Sequence, residues 1–116
     1  MEKIRSLVFY KDYFKDFFNK QPKKVQEKID YVLYIVSFAE RVPKKFFDHL
    51  TETDGLYEIR VEFESNIYRV FCCFDAGKIV VLFNGFQKKT QKTPQSEIDK
   101  AEKIKAEYFK DKQLKK

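Results

Sequence analysis

The sequence predicts an α+β fold, a small and mostly antiparallel sheet with two helices before it and one after it. Between 56 and 84, three apolar segments are separated by short polar turns, which is typical of antiparallel strands joined in a meander. Apolar residues at helical spacing flank these strands, within 11–41 and within 94–110. The helices are expected to cover one face of the sheet and to leave the other face open.

The first half of the chain predicts one strand and two helices. Residues 3–10 contain the β-branched and aromatic side chains of a strand, and 11–20 place Tyr and Phe at helical spacing. The strongest helical pattern is 22–41, whose apolar residues recur three and four positions apart until Pro43 ends it.

The second half predicts a meander and a final helix. Residues 44–55 are interpreted as a polar connection that ends at an Asp-Gly turn. The predicted strands are 56–63, 66–74 and 78–84. A last helix follows at about 94–110, so the domain is expected to span 1–111 and a basic tail, 112–116, to fray.

Length, charge and cysteine content limit the possible functions. The 116 residues suffice for one domain with one core, and the net charge of +6 favours a nucleic acid or an acidic protein as partner. A Lys-rich soluble protein without such a partner has the same charge.

No run reaches membrane-spanning length and no apolar leader is present, so a cytoplasmic protein is expected. Cys72 and Cys73 are adjacent, point to opposite faces of a strand and belong to no metal-binding pattern, so neither a metal nor a cofactor is expected.

The register of the first hairpin places two arginines opposite each other. A two-residue turn at 64–65 makes the paired residue numbers sum to 129, so that Ile59 faces Val70 on a consistently apolar side. On the other side Arg60 then faces Arg69. Like charges in this position are unfavourable by a fraction of about 1 kcal/mol.

Two explanations of the arginine pair remain open at this point. An anion bound between the two guanidinium groups suits their planar, bidentate donors, as phosphate oxygens do. Alternatively, Glu58 and Glu62 on the same side of the strand neutralise them. A longer turn would also change the register.

A basic segment, 85–94, follows the last strand. Lys88 and Lys89 are candidates for phosphate contacts, together with Lys92, and Phe86 is a candidate for stacking on a base. A solvated loop and closure of the core by the Phe ring are the alternatives.

The connection 44–55 holds the only histidine. His49 is a candidate general acid or base, and Lys44 and Lys45 beside it are candidate RNA contacts. A surface imidazole without a catalytic role is the alternative. The sequence contains no Gly-rich phosphate-binding pattern and no arrangement of Ser or Cys with His that suggests a nucleophile.

Three strings carry a family resemblance: LYEIR at 56–60, YRVF at 68–71, and FQKKTQKTP at 86–94 followed by Glu97 and Ala101. They resemble the RelE/ParE superfamily of toxins, in the branch of HigB-like and phage-derived RelE-like proteins. The resemblance extends from the first strand to the last helix. It implies a RelE-like fold and a type II toxin that is neutralised by a small antitoxin, often a helix-turn-helix protein.

The resemblance also implies an activity, which is ribosome-dependent cleavage of mRNA in the A site. Arg60 and Arg69 match the arginines of the two central strands, and Lys88 and Lys89 match the basic pair after the last strand. A ribose 2′-hydroxyl would attack the adjacent phosphate, with the arginines stabilising the transition state and Lys88, Lys89 or His49 moving a proton. The alternatives are a ParE-like poison of gyrase and an inactive module that only binds the antitoxin.

Overall fold

Residues 2–115 are described by the computed structural model, which has an α+β fold with a mixed sheet. The strands are β1 (Ser6–Phe9), β2 (Phe47–His49), β3 (Tyr57–Phe63), β4 (Asn66–Asp75) and β5 (Ile79–Lys88). The helices are α1 (Tyr13–Asn19), α2 (Lys23–Phe38) and α3 (Gln95–Leu114). The predicted fold class, with two helices before the meander and one after it, is confirmed.

The sheet has the strand order β1-β5-β4-β3-β2. Strands β2 to β5 pair antiparallel, and β1 runs parallel to β5 at one edge. The sequence missed β2, the other edge strand, because its three residues lie in the segment interpreted as a polar connection. So short a strand produces no alternation long enough to recognise.

The predicted register of the β3–β4 hairpin is confirmed. Ile59 pairs with Val70 and Arg60 pairs with Arg69 across a two-residue turn. Glu64 and Ser65 in this turn have φ angles of 48° and 70°. Positive φ at both central positions is typical of the type I′ turn, whose twist matches that of the strands and therefore fixes the register.

The expectation of an open sheet face was wrong. Helices α1 and α2 pack on the face that carries Ile59, Val70 and Cys72. Helix α3 packs on the opposite face, where Ala101 and Ile104 cover residues such as Phe71, Cys73, Val81 and Phe83. Apolar residues on both sides of β4 and β5 require cover on both faces, which explains the second layer. As predicted, the two adjacent cysteines lie on opposite faces, and both are free thiols.

Helix α3 extends farther than the sequence indicated. It ends at Leu114, so residues 112–114, which were assigned to a frayed tail, are helical. Lys112 donates to the carboxylate of Asp75 at 2.7 Å, and Tyr108 donates to the same carboxylate at 2.5 Å. These contacts connect the end of α3 to the turn between β4 and β5. Within residues 2–115, no helix combines the length and hydropathy needed to cross a bilayer.

Candidate functional site

The arginine pair lies on the α3 side of the sheet, beyond the area that the helix covers. Along β4, Phe71 is buried in the core cluster that α3 completes, and Arg69 is the next residue on the same face toward the hairpin turn. Arg60 faces it from β3. Both arginines line a pocket of about 380 Å³, together with Lys28, Lys45, Phe46 and Glu62. The two central strands therefore bring two guanidinium groups into one concave site.

A single buried carboxylate connects the two arginines. Glu58, which is 4% exposed, accepts a hydrogen bond of 2.8 Å from Nε of Arg60 through its Oε1. Its Oε2 lies 3.7 Å from Nε of Arg69, an ion pair without a hydrogen bond. Glu62 makes no ion pair with any residue that the structure describes. Of the two acids that the sequence offered for neutralisation, one pairs with the arginines.

The pocket has an excess of positive charge. Four cationic side chains and one carboxylate line it, and with Glu58 behind the arginines the cations still exceed the carboxylates by two. Burial lowers the pKa of the Arg69 guanidinium, and the neighbouring Arg60 lowers it further, while the Glu58 carboxylate opposes both effects. An arginine nonetheless stays charged at neutral pH. A site with unbalanced cations and planar donors is suited to a phosphate.

The basic pair lies at the end of β5, in a depression next to the arginine pocket. The strand continues to Lys88, beyond its predicted end at 84, so the first part of the basic segment is strand and not loop. Lys88 pairs with Ile67 of β4, one step along the face from the pairing of Arg69 with Phe86. Lys88 and Lys89 line this shallow depression together with residues of the hairpin turn and the following loop. The structure therefore places the lysines next to the arginine pocket and not inside it. Lys92 is exposed and lines neither depression.

Phe86 contributes to the core. Its ring is partly buried and contacts Phe71 with ring centroids 5.3 Å apart, within the cluster that α3 covers. This placement corresponds to the alternative in which the ring closes the core, and it does not present the ring as a free stacking surface.

The connection before β2 contributes the side chains of Lys45 and Phe46 and one backbone group to the site. Lys45 lines the pocket, with its ammonium 4.9 Å from the ring centroid of Phe46. Lys44 is exposed, and its carbonyl accepts a hydrogen bond of 3.4 Å from Arg60 Nη1. His49 is not brought to the arginines, because it pairs with Tyr57 and its ring contacts the Tyr57 ring, which packs on the α2 side.

Sequence reasoning did not single out three residues that line the pocket. Glu62 was considered only as a neutralising charge, although the hairpin register already placed it two residues beyond Arg60 on the same face. Lys28 and Phe46 gave no signal, since their approach to β3 depends on how α2 and the connection before β2 pack.

A comparison with protein families places the chain in a family of the RelE/ParE-like toxin superfamily. The family model described as "Phage derived protein Gp49-like (DUF891)" matches residues 16–106. The chain therefore belongs to this Gp49-like family, which is associated with toxin–antitoxin systems and implies an antitoxin as partner. The match includes every pocket residue but does not assign the chain to a HigB-like branch. No curated protein matches the chain significantly.

Proposed function

We propose that this toxin is an endoribonuclease that cleaves mRNA in the ribosomal A site and so inhibits translation. The observation that carries the proposal is the pocket in which Arg60 and Arg69 lie side by side with unbalanced positive charge. Two adjacent guanidinium groups match the charge that develops on a phosphate during nucleophilic attack. The ribosome would supply the substrate in a fixed conformation, which lowers the demand on the toxin's own groups.

The reaction is an internal transesterification. The 2′-oxygen of a ribose forms a bond to the adjacent phosphorus, the bond from phosphorus to the 5′-oxygen breaks, and the products are a 2′,3′-cyclic phosphate and a 5′-hydroxyl. The proton of the 2′-hydroxyl passes to a base, and an acid protonates the departing 5′-oxygen. Arg60 and Arg69 supply the positive charge that metal ions supply in other nucleases, which makes the proposed mechanism metal-independent.

The proton carriers are assigned to Lys88 and Lys89, in the depression next to the arginine pocket. Lys45, which lines the pocket, and the exposed Lys44 and Lys92 would contact neighbouring phosphates. His49 is on the other side of the sheet and takes no part in this assignment.

The proposed partners are the ribosome, its bound mRNA and a cognate antitoxin. The toxin–antitoxin association of the family supports an antitoxin in general, and a small helix-turn-helix protein is the form proposed here. Its gene is expected beside that of the toxin.

Expression from a tightly regulated promoter tests the proposal. The wild type should arrest growth and produce new mRNA 5′ ends in register with the reading frame, and purified protein should cleave mRNA only when ribosomes are present. The double variant Arg60→Ala, Arg69→Ala should do neither. The matched control is Lys100→Ala, Lys103→Ala, which removes two exposed cations from α3 and should behave as wild type.

Three outcomes contradict the proposal. Growth arrest by the double arginine variant excludes the pocket as the site of action. Intact mRNA together with trapped gyrase–DNA complexes indicates a ParE-like activity. Absence of arrest in a protein that still binds its antitoxin indicates an inactive module.

A further inference from the structure

The carboxylate of Glu58 has an unusual environment for a buried charge. One oxygen accepts a hydrogen bond from Arg60, but Oε2 is buried without a hydrogen-bond partner, and Nε of Arg69, 3.7 Å away, is also buried without one. A buried polar atom without a partner is unfavourable by about 1–3 kcal/mol. Glu58 is therefore placed poorly for stability but centrally between the two arginines.

The Nη1 and Nη2 groups are arranged alike in the two arginines. Nη1 of Arg60 donates to the carbonyl of Lys44 and Nη1 of Arg69 donates to the carbonyl of Tyr68, at 3.4 and 3.1 Å. The Nη2 groups of both arginines have no acceptor within the part of the chain that is described. Each guanidinium thus has its Nε edge toward Glu58 and keeps one NH₂ group without a protein acceptor.

We propose that Glu58 is a positioning residue, which holds the two like-charged guanidinium groups together so that their Nη2 donors bind one phosphate group between them. The inference rests on the proposed function only in taking an RNA phosphodiester as the source of that phosphate. A planar donor on either side of one phosphate provides the bidentate geometry that arginine favours.

Glu62 provides a control of equal charge. It lies on the same strand and the same face, lines the pocket and makes no ion pair with the described residues. Glu58→Gln and Glu62→Gln each remove one negative charge beside the arginines. If only net charge mattered, both substitutions would strengthen anion binding. If Glu58 positions the arginines, the two substitutions change the affinity in opposite directions.

The experiment measures the binding of a fluorescein-labelled, single-stranded 2′-deoxy oligonucleotide by anisotropy at low salt. This probe cannot be cleaved through a 2′-hydroxyl, so binding is measured independently of catalysis. We expect Glu58→Gln to weaken binding by about tenfold or more, the loss that follows when one charge-assisted contact is removed. We expect Glu62→Gln to strengthen binding by about two- to fivefold, as for an exposed charge.

Further variants separate positioning from general damage to the fold. Glu58→Asp keeps the charge but withdraws the carboxylate by one methylene, and we expect a smaller loss, of about threefold, even if the Gln variant unfolds. In the background Arg60→Ala, Arg69→Ala, Glu58→Gln should no longer weaken binding. Thermal unfolding of each variant shows which of them are folded under the binding conditions.

The outcomes distinguish this inference from the proposed function. Stronger binding in both Gln variants, wild-type binding by Glu58→Asp, or an undiminished loss without the arginines would overturn the positioning role. If the affinities change in opposite directions but the wild type cleaves no mRNA, the positioning role stands and the nuclease proposal fails.

Discussion

Arg69 gives the sharpest prediction about the free protein, because its environment favours the binding of an anion but destabilises the protein without one. The residue is 6% exposed, its Nε lacks a hydrogen-bond partner and it faces another arginine. Burial lowers the pKa of its guanidinium even though Glu58 opposes this, so the folded protein disfavours the charged form relative to water. We therefore expect Arg69→Met to stabilise the free protein while it abolishes toxicity.

The magnitude follows from the interactions that the substitution removes. Removing a buried unpartnered N–H raises the free energy of unfolding by about 1–3 kcal/mol, and removing the cross-strand repulsion raises it by a fraction of about 1 kcal/mol. The hydrogen bond from Nη1 to the Tyr68 carbonyl is lost, about 0.5–1.5 kcal/mol, together with the attraction to Glu58. Methionine keeps the apolar stem and fills the space above β4. The expected net stabilisation is about 1 kcal/mol.

Urea unfolding monitored by circular dichroism measures this stabilisation, and the expected rise in midpoint is about 0.3–1 M at an unchanged slope. Arg60→Met is the matched control. Arg60 is the only described residue that donates a hydrogen bond to the Glu58 carboxylate, so its loss leaves this buried carboxylate without one and should destabilise by about 1–3 kcal/mol. Both variants should lose growth arrest.

Two results would refute this reasoning. A fall in the midpoint for Arg69→Met would mean that the pairing with Glu58 outweighs desolvation in the free protein. Full growth arrest by Arg69→Met would mean that the buried arginine has no role in toxicity.

Three further predictions concern the scaffold. A Cβ on Gly85 would overlap the Phe17 ring, so Gly85→Ala should destabilise by about 1–3 kcal/mol in thermal unfolding, and an unchanged midpoint would contradict the packing of α1 on β5. Hydrogen bonds from Lys112 and then from Tyr108 hold the pKa of the Asp75 carboxyl below its ordinary value of 3.8. The ionised carboxylate therefore stabilises the folded protein fully above pH 3.8, and this stabilisation is lost as the pH falls through the lower pKa of the folded state. Lys112→Met should therefore move acid unfolding, followed by circular dichroism, to higher pH, and an unmoved transition would contradict the contact. Burial raises the pKa of the Cys73 thiol to about 11, so Ellman's reagent at pH 8 should react with it only after denaturation.

The hairpin register was predictable because a local rule and a long-range pattern agree. A turn of two residues fixes which residues of β3 and β4 face each other, and the resulting register puts Ile59 and Val70 on one apolar side. Arg60 and Arg69 then lie opposite each other without any assumption about function. The arginine pair at the centre of the candidate site follows from this single inference.

The second sheet face and the position of His49 were not predictable in the same way. The apolar stripe on the last helix indicated that α3 packs against the sheet. Both faces of the meander are apolar, so the pattern did not show which face α3 covers. His49 lies in a segment without strand alternation, so its side of the sheet depends on the pairing of β2 with β3. Both outcomes are set by tertiary packing, which local pattern does not encode.

The arginine pair is stronger evidence for a function than the lysine pair, and the reason is physical. Lysines at the exposed end of a strand are compatible with solvation, so Lys88 and Lys89 alone indicate little about function. Two arginines opposite each other in a sheet, one of them buried, violate the rule that neighbouring charges should be opposite. Such a violation persists when a ligand or a function compensates for it. The shared carboxylate of Glu58 compensates in part. The Nη2 donors without a protein acceptor among the described residues, together with the excess of cations in the pocket, support the proposal that a bound phosphate completes the arrangement.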